Sequence, residues 1–448
     1  MKTYSPNIVD LSKELVNTIL KNEIYSTNST FLQGMGERKK VLFFLLDGLG
    51  SYQLESNEGV LLENRVSDIY TTFPSTTNVV LSSFCTASMP REHGVLSYFM
   101  FDQDFGGIFN ALVWNKANEN MVKAENYLEI KTIWEILKEN NVSPSVYQPK
   151  DLSTSILSKN IYRGAKTTTY ENIENLFDTL IDNKETLSSF TFVYYPPIDL
   201  SGHVYGSSSN EYTQEIRTFE THFKKYLGEL SKDFTIILTA DHGMVDIDKK
   251  NRIKVDSSNE LIKIFGDNRA VFINGEIELA EKLFESIPGE FIRTGEVDLL
   301  LGEGNKHPEY ELRSPQHCFL PDEDFAVVPS HLNDSLTGYH GGLTKKEIEF
   351  LEPVNNLKKI SELAHKKNAI VIGDGVSFAP HGFPDVKDLG VDFYTFSLYK
   401  TFGPHLALLY GKKEILNQLP NQNHEFLEGQ YPYTINPVSY THLRAHET

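Results

Sequence analysis

Three short apolar runs that stop abruptly at acidic residues do most to limit what this chain can fold into. Val41–Leu46 ends at Asp47, Phe190–Tyr195 is followed by Pro-Pro-Ile and Asp199, and Phe234–Leu238 runs into the pair Asp241 and His242. Runs this short and this continuously apolar suit strands buried on both faces, the condition of a parallel sheet covered by helices. Between them, apolar residues at three- and four-residue spacing predict helices over Lys131–Glu139, Glu171–Asp182 and Glu211–Leu230. The expected class is therefore α/β, a mostly parallel sheet flanked by helices. In such sheets ligands collect beyond the carboxyl ends of the strands, where these acidic residues fall.

One Asp after a strand is ordinarily a turn former or a helix cap. Three in one chain, two of them with histidine close by, point to a site instead. Asp199 and His203 stand four apart in DLSGH, a spacing that sets both on one face of a helical turn or converges them in a tight loop. Asp241 and His242 are neighbours, and at a strand end, where the backbone turns, they can reach two ions from one loop. The segment TTFPSTTNVVLSSFCTASMPREHG holds a proline turn, then Thr76 and Thr77, then a run that predicts a helix from Asn78 to Thr86. A threonine there sits at a helix N-terminus, where free N–H groups and the helix dipole favour an alkoxide and an incoming phosphate. Capping alone is the simpler role for it. To act as a nucleophile its hydroxyl needs a base or a cation at hand.

The net charge of -19 excludes broad neutralisation of a nucleic-acid backbone, so any phosphate has to be met locally, by bound cations for example. The most apolar early run, Val41–Leu46, is too short to span a bilayer, and no membrane partner is expected. The N-terminal stretch MKTYSPNIVDLSKELVNTILKNE lacks the apolar centre of a secretory signal, and Cys85 and Cys318 lie far apart without metal-type spacing. The expectation is a cytoplasmic protein without a disulfide.

Taken together, DGLG with Asp47, PSTT with Thr77, PREHG, DLSGH, TADHG, and GYHGG with His340 resemble the type I phosphodiesterase/nucleotide pyrophosphatase branch of the alkaline phosphatase superfamily, over about residues 41–349. That resemblance implies an alkaline-phosphatase-like fold and a metal-dependent hydrolase of small phosphoesters acting through a phosphothreonine intermediate. Phosphodiesters or pyrophosphates come first as substrates, with phosphomonoesters and phosphonates left open. It assigns Thr77 in preference to Thr76 as nucleophile. One divalent cation falls to Asp47, Asp241, His242 and Thr77, the other to Asp199, His203 and His340. Three imidazoles with three carboxylates favour Zn2+ and admit Mn2+. One position departs from the family pattern: Tyr98, in HGVLSYFMF, stands where an Asn binds a nonbridging phosphate oxygen, and serves either as a hydroxyl donor to substrate or as wall packing. Residues 245–339 are expected to form a cap or linker that returns His340 to the site.

Beyond a 1–350 metallophosphoesterase domain, the text from about Val354 to Pro437 resembles the class V aminotransferase/cysteine desulfurase group of pyridoxal-phosphate enzymes. This implies a small appended α/β fragment of PLP fold-type-I origin, covering 351–437. The pyridine-nitrogen partner and the Schiff-base lysine of that group fall on Asp374 and Lys400, with His381 in the same motif. The segments that build the phosphate cup are missing, so these positions are expected to be vestigial and PLP is not expected to be held. Residues 438–448, VSYTHLRAHET, resemble a translated sequencing adaptor. The alternatives to phosphoester hydrolysis are thus a PLP-dependent lyase or transferase and a catalytically inactive chimeric product whose first domain is cut short near residues 349–354.

Overall fold

The computed structural model describes residues 6–27, 29, 31–32, 40–57, 59–63, 69–102, 107–112, 127–330, 335–350, 365, 369–374, 386–387, 389–398 and 407–416. The chain divides into two compact units, Met1–Glu352 and Pro353–Thr448.

The first unit is built on a parallel sheet. Its strands are β1 (Lys40–Leu46), β2 (Ser145–Pro149), β3 (Lys166–Tyr170), β4 (Phe190–Tyr195) and β5 (Phe234–Thr239), in the spatial order β3-β2-β4-β1-β5. Leu46 lies opposite Tyr195 and Leu45 opposite Thr239, so β1, β4 and β5 end level with one another. The loops carrying Asp47, Asp199 and Asp241 therefore leave the same edge side by side. The apolar runs identify these three strands but miss β2 and β3. The edge strand β3, KTTTY, is polar and largely exposed, and β2, SVYQP, carries the polar Ser145 and Gln148, so neither presents a continuous apolar run.

Helices cover both faces: α1 (Ile8–Leu20), α2 (Thr77–Thr86), α3 (Ile133–Glu139), α4 (Ile173–Asp182), α5 (Pro197–Tyr205) and α6 (Asn210–Leu230). Successive strand residues point to opposite faces, and β1 shows why both must be apolar. Phe43 stacks on Phe192 of β4 and lies 4.9 Å from Phe84 of α2, while Phe44 packs edge-on against Phe219 and Phe223 of α6. Two helices begin later than their apolar spacing suggests, because Thr132 and Asn172 use their side chains to cap the first turns of α3 and α4. Helix α2 is buried along its whole length. Its hydroxyls are satisfied one turn back, Ser82 on the Asn78 carbonyl at 2.6 Å and Ser83 on that of Val79 at 2.8 Å, so it sits in the core as a rigid post.

Residues 245–339 supply more than a linker. Four strands from this region, Ile262–Gly266, Val271–Gly275, Gly289–Ile292 and His317–Pro321, join the hairpin Phe99–Asp102 and Gly107–Asn110 in a six-stranded antiparallel sheet. It has its own apolar cluster around Ile264, Ile273, Phe284 and Phe319. Gly338–Tyr339 then pairs antiparallel with Val245–Asp246, which carries His340 back beside the loop of His242.

The second unit contains a three-stranded sheet of Ile372–Asp374, Phe393–Ser397 and Ala407–Gly411, the first pair parallel and the second antiparallel. Asp374 closes the first of these strands, while Lys400, His381 and residues 438–448 lie outside the described residues. Among the described residues no helix is long and apolar enough to cross a membrane. Cys85 and Cys318 are both free and buried.

Candidate active site

Each expected residue reaches the site for a local reason. The Asp47 N–H donates to the Tyr195 carbonyl at 3.0 Å, extending the sheet pairing before the chain turns. Gly48 makes that turn at φ +74°, and a Cβ there would lie 2.8 Å from the Asp199 Cα, so only glycine lets the two acidic loops close up. Asp199 and His203 realise the helical alternative of their spacing, one turn apart on α5. The Asp241 carboxylate is fixed by accepting the N–H groups of Gly48 at 3.1 Å and His242 at 2.9 Å. Thr77 is the first residue of α2, behind the N-cap Thr76.

All seven residues converge. Thr77 Oγ1 lies 3.1 Å from His242 Nε2 and 3.5 Å from Asp47 Oδ1. His242 Nε2 is itself 3.4 Å from Asp47 Oδ1 and 3.6 Å from Asp241 Oδ2. Alongside, His203 Nε2 is 3.4 Å from Asp199 Oδ2, and His340 Nε2 is 3.8 Å from Asp199 Oδ1 and 3.1 Å from His203 Nε2. The His242 and His340 rings stack with centroids 3.7 Å apart and join the two halves. Two trios bring donor atoms close enough to share an ion, Asp47 with Asp241 and His242, and Asp199 with His242 and His340. In the second, His242 stands where the resemblance implies His203, which instead touches Asp199 and His340 from the side of α5.

The chemistry of this donor set fits divalent cations. The three imidazoles each direct Nδ1 at a backbone carbonyl: His203 at Gly338 (2.9 Å), His340 at Ser75 (2.9 Å) and His242 at Gly243 (3.1 Å). A carbonyl only accepts, so Nδ1 carries the hydrogen and Nε2 of a neutral ring is a bare lone pair turned inward. Asp199 Oδ1 and Asp241 Oδ2 are buried without a hydrogen-bond partner. Burial, then the charges of Asp241 and Asp199, hold the Asp47 carboxyl well above its ordinary range, against a hydrogen bond from Tyr194. Asp241 is also raised, by burial first, with His242 opposing. Burial, then His242 and His203, push His340 well below the imidazole range. A pocket that makes the Asp47 and Asp241 carboxyls hard to ionise calls for positive charge, which metal ions supply, and the burial that keeps the His340 ring unprotonated leaves its lone pair open to them.

Supporting residues escaped the sequence reading. The Tyr194 hydroxyl donates to Asp47 Oδ2, and nothing marks this aromatic among the others of its strand. Ser75, inside the PSTT motif, was legible only as part of a turn. Its Oγ donates to the Gly342 carbonyl at 2.8 Å and accepts the Gly341 N–H at 3.1 Å, binding the nucleophile turn to the His340 loop. Tyr98 leads into the hairpin, its N–H donating to Asp267 Oδ2 at 3.3 Å and its ring meeting Phe99 edge-on. Burial raises its phenol, a hydrogen bond with Asn110 acts the other way, and the charges of Asp267 and Asp199 add to the rise.

The sequence profile of the type I phosphodiesterase/nucleotide pyrophosphatase family matches residues 41–291, and that of class V aminotransferases matches 352–428. Among solved structures, human ectonucleotide pyrophosphatase/phosphodiesterase 5 superposes with a TM-score of 0.55 at 15% identity, over 78% of this chain and 98% of that one. Phosphonoacetate hydrolase from Sinorhizobium meliloti, in complex with phosphonoacetate, gives 0.53 at 14% identity, over 70% and 89%. At such identities the likeness is one of fold. In the second unit, an aminotransferase-like protein of Gibberella zeae is 48% identical over 77 residues, 17% of this chain and 19% of that protein. A cysteine desulfurase of Yersinia pestis is 41% identical over 71 residues, 16% and 18%. The chain thus spans under one fifth of the length of either curated relative.

Proposed function

The chain belongs to the type I phosphodiesterase/nucleotide pyrophosphatase family and has an alkaline-phosphatase-like α/β fold, and from that premise we propose that its first unit hydrolyses a phosphodiester or pyrophosphate bond of a small substrate through Thr77. The observation that carries this reading is the position of Thr77 Oγ1. It stands at the start of a buried helix, 3.1 Å from His242 Nε2, beside first-turn amides that Thr76 leaves without a side-chain cap.

Asp47, Asp241, His242 and the Thr77 oxygen would hold one divalent cation, and Asp199, His203 and His340 the other. Zn2+ is the first choice for these donors and Mn2+ the second. When bound, the cations supply positive charge that favours an ionised threonine oxygen and offsets the charge of the phosphate and the leaving oxygen.

The chain's own residues then do the following. Thr77 Oγ1 attacks phosphorus, the bond from phosphorus to the leaving oxygen breaks, the proton lost from Oγ1 passes by way of solvent to that leaving oxygen, and a phosphothreonine results. Amide N–H groups of the first turn of α2 and the helix dipole favour the nonbridging oxygens at that point. Water next attacks the same phosphorus, the Oγ1–phosphorus bond breaks, and a proton lost by that water returns Oγ1 to the hydroxyl. Tyr194 keeps Asp47 in place through its hydroxyl. Tyr98 is assigned to the substrate wall.

Free, buried Cys85 and Cys318 support a reducing compartment, and the cytoplasm is the proposed location. No pyridoxal-phosphate role is proposed for Asp374 or Lys400, since the aminotransferase match is a fragment. The test is hydrolysis of bis-p-nitrophenyl phosphate and p-nitrophenyl phosphate by chelator-stripped protein given Zn2+ or Mn2+. Restored turnover, greater on the diester, is expected. Turnover of neither ester with either cation would refute the proposal.

A further inference from the structure

The tip of the hairpin between Ile262–Gly266 and Val271–Gly275 contains a side chain that a surface turn does not need. Arg269 is 1% exposed. Its Nε donates to Glu347 Oε1 at 3.1 Å and its Nη2 to Oε2 at 3.0 Å, a two-pronged pair in which both side chains are 0% exposed. Its Nη1 donates to the carbonyls of Pro321 (3.3 Å), Asp322 (2.6 Å) and Phe325. Every guanidinium nitrogen is engaged, and all five contacts fall on residues 52 to 78 positions away in sequence.

Glu347 joins both histidine loops. Its Oε1 accepts the Gly342 N–H at 2.9 Å, two residues beyond His340, and its Oε2 accepts the Thr344 hydroxyl at 2.6 Å. Its backbone carbonyl accepts the Gly243 N–H at 2.9 Å, next to His242. The fit there is close, since a Cβ on Gly243 would lie 1.9 Å from the Lys346 carbonyl oxygen. The rings of His242 and His340, whose stacking joins the two halves of the site, are thus both set by one residue and its arginine.

A buried ion pair is weak evidence for stability, because removing two charges from water offsets much of their attraction. A pair whose carboxylate partner bonds to the loops of both His242 and His340 is better explained by placement. We propose that Arg269 and Glu347 are positioning residues that fix His242 and His340 in the arrangement that receives divalent cations. This rests on the reading of the site given above.

The test uses the full chain, with Zn2+ titrated into chelator-stripped protein and the visible absorption of bound Co2+ recorded as a second readout. Two variants are compared with wild type, the apolar replacement Arg269→Met with Glu347→Leu, and Glu347→Gln, which keeps the shape of the cap and removes the charge. The expected result is a cooperative melt, close to wild type for the apolar pair and lower for Glu347→Gln, which leaves the Arg269 charge buried without its partner, with Zn2+ affinity lowered about ten- to a hundredfold and an altered Co2+ spectrum in both. If the apolar pair does not fold, the same affinity loss is expected of Glu347→Gln. Folded variants with wild-type Zn2+ affinity and Co2+ spectrum would overturn the positioning role while leaving the site reading intact. A wild-type chain that binds no Zn2+ would overturn both.

Discussion

His203 Nε2 and His340 Nε2 stand 3.1 Å apart while both rings commit Nδ1 to a carbonyl oxygen, of Gly338 and Ser75 respectively. Two lone pairs therefore face each other, and a cation beside them removes the repulsion. Zn2+ added to stripped protein is expected to raise the thermal midpoint, by about 2.7 kcal/mol of stability once free Zn2+ reaches roughly 100 times its Kd. Identical melts with and without Zn2+ would contradict this.

Tyr194 holds Asp47 by a single hydroxyl. Tyr194→Phe keeps the buried ring and loses only that donor, so the fold is expected to survive. Metal affinity or turnover should fall about tenfold or more, as for other partners that orient metal ligands. Calorimetric titration with Zn2+ checks it, and a wild-type affinity would show that Asp47 needs no such help.

Asp267 gives a pH prediction. Burial raises its carboxyl from 3.8 to about 7, with Glu347 adding and the Tyr98 N–H and Thr76 opposing. Between these values the folded chain holds a proton that the unfolded chain has lost, so stability declines as pH rises from about 4 to 7. The decline from this group is at most about 4 kcal/mol, and less where the side chain meets solvent. Asp267→Asn stays neutral throughout, and its stability relative to wild type is expected to improve across that window and to level off above it. Urea unfolding at pH 5 and pH 8 measures the difference; parallel profiles would refute it.

How much of this was legible in the sequence depends on what each signal needs. Val41–Leu46 and Phe190–Tyr195 are readable because burial on both faces leaves no room for polar residues, and the acidic residues after them stand out for the same reason. Asp199 and His203 were legible as a pair, but only the helix resolved which of two geometries they adopt. Strand β3 was not legible, since an edge strand of threonines carries no buried pattern. Nor was the antiparallel sheet within 245–339, whose partners at Phe99–Asp102 come from far earlier in the chain. Glu347 is visible in sequence as the end of a T-x-x-E capping box with Thr344, yet its bond to Arg269 depends on a contact 78 positions away.

The division at Glu352 and Pro353 makes the aminotransferase-like unit dispensable in this account. A chain ending at Glu352 keeps the pairing of Glu349–Phe350 with Ile69–Tyr70. It is expected to retain the Zn2+-dependent turnover of the full chain within about twofold, a difference of about 0.4 kcal/mol in barrier. A loss of both melting transition and turnover would mean that the second unit supports the first.

The central claim is that Thr77 is the nucleophile, and its most direct test is turnover of bis-p-nitrophenyl phosphate by metal-loaded wild type, Thr77→Ser and Thr77→Ala. The expected result is measurable activity for serine, which keeps a hydroxyl, and a loss of at least about a thousandfold for alanine, about 4 kcal/mol of barrier, with Zn2+ still bound. Equal turnover by wild type and Thr77→Ala would contradict the account.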